Sequence, residues 1–265
     1  MTLKRHIPNF ITCLNLLFGC MAVVFALRGE IIYAVAMIFV ATLFDFLDGL
    51  AARLLKAYSA IGKELDSLAD VVSFGLAPAA IMHDGFTQTL SSKINWGLDS
   101  IPWELVSFFP FIFVVAAALR LAKFNVDTRQ SEHFRGLPTP AAALLICSLF
   151  MFVSGTPKIT PVFDTIYTIP VIALMVSWLM VSNLPMISLK VKALTWKGNQ
   201  IRFILLALSG IYITLAFISG WPWSLTMLLI MFSYLLLSLF LWVSPPANPA
   251  GNKEAGAGGT QTGNR

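Results

Sequence analysis

Residues 31–82 read IIYAVAMIFVATLFDFLDGLAARLLKAYSAIGKELDSLADVVSFGLAPAAIM. Two apolar runs, 31–55 and 62–82, flank a short polar break, and each is close to the ~20 residues an α-helix needs to cross ~30 Å of hydrocarbon. Four aspartates, Asp45, Asp48, Asp66 and Asp70, fall within or at the ends of these runs. An unpaired carboxylate at a membrane helix centre costs about 2.5–3.5 kcal/mol on insertion scales, so four cost on the order of 10 kcal/mol. Something must neutralise them, and Arg53 alone is not enough.

Working outward, the same length criterion finds six further runs at 9–27, 105–124, 139–155, 167–186, 203–220 and 223–243. Pro140 and Pro170 sit where they open a helix, a position that tolerates the missing N–H. The predicted fold is therefore all-α: a polytopic membrane helix bundle of about eight transmembrane helices, with both termini cytoplasmic. Composition agrees. The chain of 265 residues is 57% hydrophobic and 12% charged, against about 25% charged in soluble domains. That excludes a soluble enzyme and a disordered or fibrous chain. The formal charge of +5 does not point to a nucleic-acid partner, because the cations lie between apolar runs and set topology there. With eight spans, fifteen of the 18 Lys and Arg residues fall on the side of the N-terminus, leaving Arg28, Lys93 and Lys158 opposite. Adding or removing one span would scramble that partition.

The first run continues through Leu27 without a small-residue cleavage pattern, so it reads as a retained span. Residues 1–243 form one membrane domain. The tail 244–265, SPPANPAGNKEAGAGGTQTGNR, is too poor in apolar side chains to bury a core and reads as a disordered cytoplasmic tail. The outer loop 83–104 is expected on the membrane surface. Cys13, Cys20 and Cys147 lie inside apolar runs and are expected to be buried, inert thiols.

Spacing says where the acids point. Asp45, Asp48, Gly49, Ala52 and Arg53 share one broad face of the second helix, and Gly62, Asp66 and Asp70 repeat every four residues on the third. The second helix runs inward and the third starts on the same side, so the two acidic stripes can face each other near the cytoplasmic surface. Clustered carboxylates without His or Cys are hard oxygen ligands suited to Mg²⁺, Mn²⁺ or Ca²⁺. Arg53 offers a planar donor for phosphate, and Gly49 and Gly62 allow close approach to backbone. The bland alternative is a salt-bridged core with packing glycines.

Asp45, two residues, Asp48, Gly49, two residues, Ala52, Arg53, eight residues, Gly62, three residues, Asp66, three residues, Asp70 resembles without a gap the signature of the CDP-alcohol phosphotransferases. That resemblance implies membrane enzymes that displace CMP from a CDP-linked lipid or alcohol with an acceptor hydroxyl, using two divalent cations, Mg²⁺ or Mn²⁺. It implies that Asp45, Asp48, Asp66 and Asp70 hold the metals and that Asp70 is the general base. Gly49, Ala52, Arg53, Gly62, Ser67 and Asn9 are implied in CDP binding.

Within that family IPNFITCLNLLFGC, LDSLADVVSFGLAPA, LRLAKFNV and FRGLPTPAA resemble the bacterial integral-membrane phosphatidylserine synthases. This implies CDP-diacylglycerol and L-serine as substrates, with the active site on the cytoplasmic face of the bacterial inner membrane. A cation for the carboxylate of serine is needed, and Arg120, Lys123 and Arg135, with Asn125, are the candidates, none preferred. Two alternatives stay open: a family member using glycerol 3-phosphate or inositol phosphate, and a cation transporter, although the far half of the membrane has almost no acids for a path. The resemblance also implies a homodimer, to which the small and aromatic residues Ser73, Gly75, Ala77, Ala79, Ala80, Phe108, Phe109 and Ala116 to Ala118 are expected to contribute.

Overall fold

A computed structural model describes residues 6–93, 102–126, 134–157, 163–187 and 199–243. The tail 244–265 and residues 94–101 of the expected outer loop 83–104 lie outside the described residues. The fold is a polytopic helical bundle. Helix α1 (His6–Leu27) turns through Gly29, whose φ of 73° suits glycine, into α2 (Ile31–Leu54). These two antiparallel helices form the largest helix–helix interface of the fold. A five-residue connection leads to α3 (Ala60–Asp70), capped by Ser59, whose side chain accepts a hydrogen bond from the Gly62 N–H. A π-helical segment, Val71–Leu76, follows without a break and continues as α4 (Ala77–Lys93).

The third span is therefore longer than the expected 62–82. It runs as one continuous helix over Ala60–Ser92, 33 residues, or about 50 Å at 1.5 Å per residue. Its polar end remains helical because its side chains bond along the helix: Gln88 donates to Asp84 at 2.8 Å, and the Thr89 hydroxyl donates to the Gly85 carbonyl at 3.0 Å. The reading of 83–93 as a surface loop is thus corrected.

A single-turn α5 (Trp103–Val106) and a 3₁₀ turn (Phe109–Phe111) lead into α6 (Ile112–Val126). Strand β1 (Phe134–Arg135) precedes α7 (Thr139–Ser154), and α8 (Thr168–Val181) precedes β2 (Pro185–Met186). The sixth span was expected to reach residue 186, but Ser182 is extended and Pro185 cannot continue a helix. Its end instead pairs antiparallel with β1, Phe134 opposite Met186 and Arg135 opposite Pro185. Helices α9 (Gln200–Ser219) and α10 (Trp223–Val243) close the chain, with α10 packed on α7.

Six helices among the described residues are long and apolar enough to cross a membrane, and α7 and α8 are shorter apolar helices. The eight expected spans all correspond to helices, and the protein is an integral membrane protein. The buried core is built from small side chains on α1, α4 and α7 around Phe74, Phe86 and Phe113. At Gly19 of α1 an added Cβ would overlap Ser73 Oγ and lie 2.8 Å from Ser73 Cα, so α1 and the π segment touch backbone to backbone. Ser73, Gly75, Ala77, Ala79, Ala80, Ala116 and Ala117 are buried within this one chain, and a Cβ on Gly75 would lie 3.2 Å from the Ala117 Cβ. Their smallness is used in packing the π segment against α1 and α6, and α4 against α1 and α7. Cys147 is buried as expected, whereas Cys13 and Cys20 are exposed on α1; in a bilayer the outward face of a helix is as apolar as its core, so hydropathy did not distinguish the two.

Candidate active site

The short α2–α3 connection brings the acidic ends of both helices together. Carboxylate oxygens of Asp45, Asp48 and Asp66 lie within 4.8 Å of one another. Asp70, one turn beyond Asp66 at the junction with the π segment, falls outside that three-residue group and is 8% exposed. Single π-turns of this kind recur at functional sites. Asp66 Oδ1 and Asp70 Oδ1 are buried and meet no hydrogen-bond partner among the described residues. A buried, unpaired acceptor is costly unless a ligand completes it. Three converging carboxylates, with orphaned oxygens on Asp66 and on the neighbouring Asp70, are a donor set that suits a hard divalent cation.

Asp48, 6% exposed, does have a partner, and sequence reading missed it. Thr12 of α1 donates its hydroxyl proton to Asp48 Oδ2 at 2.6 Å, with the Pro8 carbonyl 3.0 Å away. The available signal was the spacing Pro8, Thr12, Asn15, Gly19, which is one stripe of α1.

Beside the cluster lies a cleft of about 490 Å³ whose walls come from α1, α2 and α3. Asn9, Gly49, Ala52, Arg53 and Gly62, all expected in nucleotide binding, line it together with Asp48 and Asp66. Ser67 does not line it; its hydroxyl donates to the Lys63 carbonyl at 3.2 Å and accepts from Asn125 Nδ2 at 2.8 Å. Lys63 Nζ donates to the Asn125 carbonyl at 3.1 Å, so Asn125 ties the end of α6 to α3. Arg53 folds back along α2, Nε donating to the Gly49 carbonyl at 2.8 Å. Gly62 has no room for a side chain: a Cβ would lie 2.8 Å from Asn9 Oδ1 and 2.9 Å from Ser59 Oγ.

Of the expected acceptor-binding cations, Arg120 is separated from the rest. It is 8% exposed, donates from one terminal nitrogen to Thr139 Oγ1 at 2.6 Å, and lies within electrostatic reach of Asp70. Its Cζ is 5.9 Å from the centre of the Phe124 ring. Its Nε is buried with no partner among the described residues. Lys123, by contrast, is exposed. The Arg135 backbone belongs to β1, and its side chain lies outside the described residues.

The profile of the CDP-alcohol phosphatidyltransferase family matches residues 5–181, which include every element just described. The chain belongs to this family. Its curated relatives include proteins named CDP-diacylglycerol–serine O-phosphatidyltransferase. That of Mycobacterium leprae is 36% identical over 150 residues, 54% of this chain and 46% of the relative. That of Helicobacter pylori J99 is 34% identical over 141 residues, 52% of this chain and 54% of the relative. That of Bacillus subtilis is 35% identical over 152 residues, 55% of this chain and 75% of the relative. The chain spans about half the length of the first two relatives it matches. CDP-alcohol phosphatidyltransferases use divalent metals, and the Asp45, Asp48 and Asp66 cluster is the group of this chain suited to hold one.

Proposed function

We propose that this CDP-alcohol phosphatidyltransferase transfers the phosphatidyl group of CDP-diacylglycerol to the hydroxyl of L-serine, giving phosphatidylserine and CMP. The names of its relatives support the reaction. The observation that carries the acceptor assignment is Arg120: one desolvated guanidinium, held by Thr139 and close to Asp70, matches the single carboxylate of an amino acid.

Asp45, Asp48 and Asp66, with Asp70 beside them, would hold two divalent cations, Mg²⁺ or Mn²⁺, whose charge neutralises the pyrophosphate when bound. The cleft takes the CDP end, where Gly49, Ala52 and Gly62 leave room and Arg53 and Asn9 supply polar contacts. Arg120 orients serine by its carboxylate so that the hydroxyl faces Asp70. Asp70 accepts the hydroxyl proton as the serine oxygen attacks the β-phosphorus, and the bond from that phosphorus to CMP breaks. Burial of the orphaned Asp70 oxygen keeps bulk water from competing with the serine hydroxyl for that oxygen.

The site faces the cytoplasm of a bacterial inner membrane in this reading, supported by the Lys and Arg distribution, and single cysteines placed in 56–61 are expected to react only with cytoplasmic reagents. The enzyme works as a homodimer on the strength of the family resemblance; a native mass in mild detergent reporting only monomer overturns that. The reaction itself is tested by incubating purified protein with CDP-diacylglycerol, Mg²⁺ or Mn²⁺, and serine, glycerol 3-phosphate or inositol phosphate in turn, measuring CMP. Serine-dependent release is expected. Release with glycerol 3-phosphate and none with serine overturns the assignment.

A further inference from the structure

The last span, α10, lies beyond the family match at 5–181, yet it reaches the Arg120 neighbourhood. Tyr234 is 5% exposed and donates its hydroxyl to the Ile187 carbonyl at 3.3 Å. One turn on, Ser238 accepts the Ile187 N–H at 3.3 Å. Both backbone polar groups of Ile187 are therefore held by two side chains of α10.

Ile187 directly follows β2, which pairs with β1. From β1 the chain passes through Gly136, whose N–H bonds the Leu184 carbonyl at 2.8 Å, and Leu137, whose N–H bonds the Leu179 carbonyl at 2.9 Å, to Thr139, the residue that receives Arg120. Tyr234 is also itself close enough to Arg120 for the two groups to interact electrostatically.

We propose that Tyr234 is a positioning residue for the acceptor: α10 forms a wall of the acceptor pocket, and the Tyr234 hydroxyl, through the Ile187–β2–β1–Thr139 path, fixes the Arg120 guanidinium that reads the acceptor's carboxylate. The proposal rests on the assignment of Arg120 made above. It gives the C-terminal helix, outside the signature, a part in acceptor selection.

The test is Tyr234→Phe, which keeps the ring and removes only the hydroxyl. The KM for L-serine is expected to rise about five- to tenfold, while kcat and the KM for CDP-diacylglycerol stay within about twofold. Serine methyl ester, which lacks the carboxylate, is expected to show the same KM with both proteins, a selectivity that a general loosening of the fold would not produce. An unchanged serine KM, or equal shifts for serine and its ester, overturns the proposal. Ser238→Ala removes the other hold of α10 on Ile187 and is expected to raise the serine KM two- to threefold; if Tyr234→Phe does not insert, an unchanged serine KM in Ser238→Ala overturns the proposal by itself. If the wild-type protein releases CMP with a different acceptor, the serine reading fails separately. The same variants measured with that acceptor then decide whether α10 borders the pocket, a selective rise in its KM supporting the proposal and none overturning it.

Discussion

Replacing Thr12 by Val keeps the shape of the side chain and deletes one hydroxyl. The hydroxyl lies 2.6 Å from Asp48 Oδ2, within the 2.5–2.7 Å range of a charge-assisted O–H···O⁻ bond. Bonds of this kind to a charged group contribute about 1.5–3 kcal/mol, and about 1.36 kcal/mol corresponds to a factor of ten. The loss falls on a carboxylate that is 6% exposed, so water is poorly placed to replace the bond. The arithmetic gives a weakening of roughly 10- to 100-fold, which is also the usual cost of removing a group that orients a metal ligand. The assay is CMP release titrated with Mn²⁺. Thr12→Val is expected to shift the half-saturating Mn²⁺ concentration upward by that factor, with most of kcat recovered at saturation, while Thr12→Ser stays within about twofold of wild type. A Thr12→Val titration superimposable on wild type would show that Asp48 does not depend on α1 for its orientation, and the reasoning would be refuted.

Asn in place of Asp45, Asp48, Asp66 or Asp70 is expected to abolish CMP release while leaving membrane insertion intact, since losing a charge from the bilayer favours insertion; near-normal turnover in two or more variants contradicts the site. Gly136→Ala is expected to reduce folded yield severely, because Gly136 has φ of 75° and its new Cβ would overlap the Met180 carbonyl; normal yield in a detergent size-exclusion assay contradicts the β1–β2 arrangement. Gly19→Ala forces α1 away from Ser73 and is expected to destabilise by about 1–3 kcal/mol, as overpacking does, and to lower kcat because Thr12 moves with α1. Thermal inactivation and turnover both at wild-type levels would speak against the close contact.

The helices were legible because the bilayer imposes a minimum apolar length, and α1, α2, α9 and α10 were located to within a few residues. The carboxylate cluster was legible because Asp45, Asp48 and Asp66, with Asp70 beside them, are an energetic anomaly that spacing alone puts on facing stripes. The stripe of α1 that carries Thr12 was visible in its spacing, but its hydrogen bond to Asp48 was hidden, since periodicity does not name the partner a hydroxyl reaches on another helix. Thr139 and Tyr234 were hidden for the same reason. The small residues from Ser73 to Ala80 were legible as a close-packing surface and were read toward a second protomer; within the chain the π segment packs on α6 and α1, and α4 packs on α1 and α7. The end of the sixth run misled because apolar residues such as Leu184, Met186 and Ile187 satisfy a length criterion whether they are helical or extended.

The π segment at Val71–Leu76 acts on the third span as a phase shifter. Widening one turn is geometrically like inserting one residue, and one residue corresponds to about 100° of rotation around an α-helix at 3.6 residues per turn. The inner half, carrying Asp66 and Asp70, and the outer half, carrying Ala77, Ala80 and Ile81, are thereby set at two different angles about one axis. Each half presents the face its surroundings demand: carboxylates toward the α2 acids below, small side chains toward the core above. A straight α-helix would lock those two choices together. Here the chemistry at one end of a 33-residue rod and the packing at the other are decoupled, and substitutions in either half are free to be selected on their own terms.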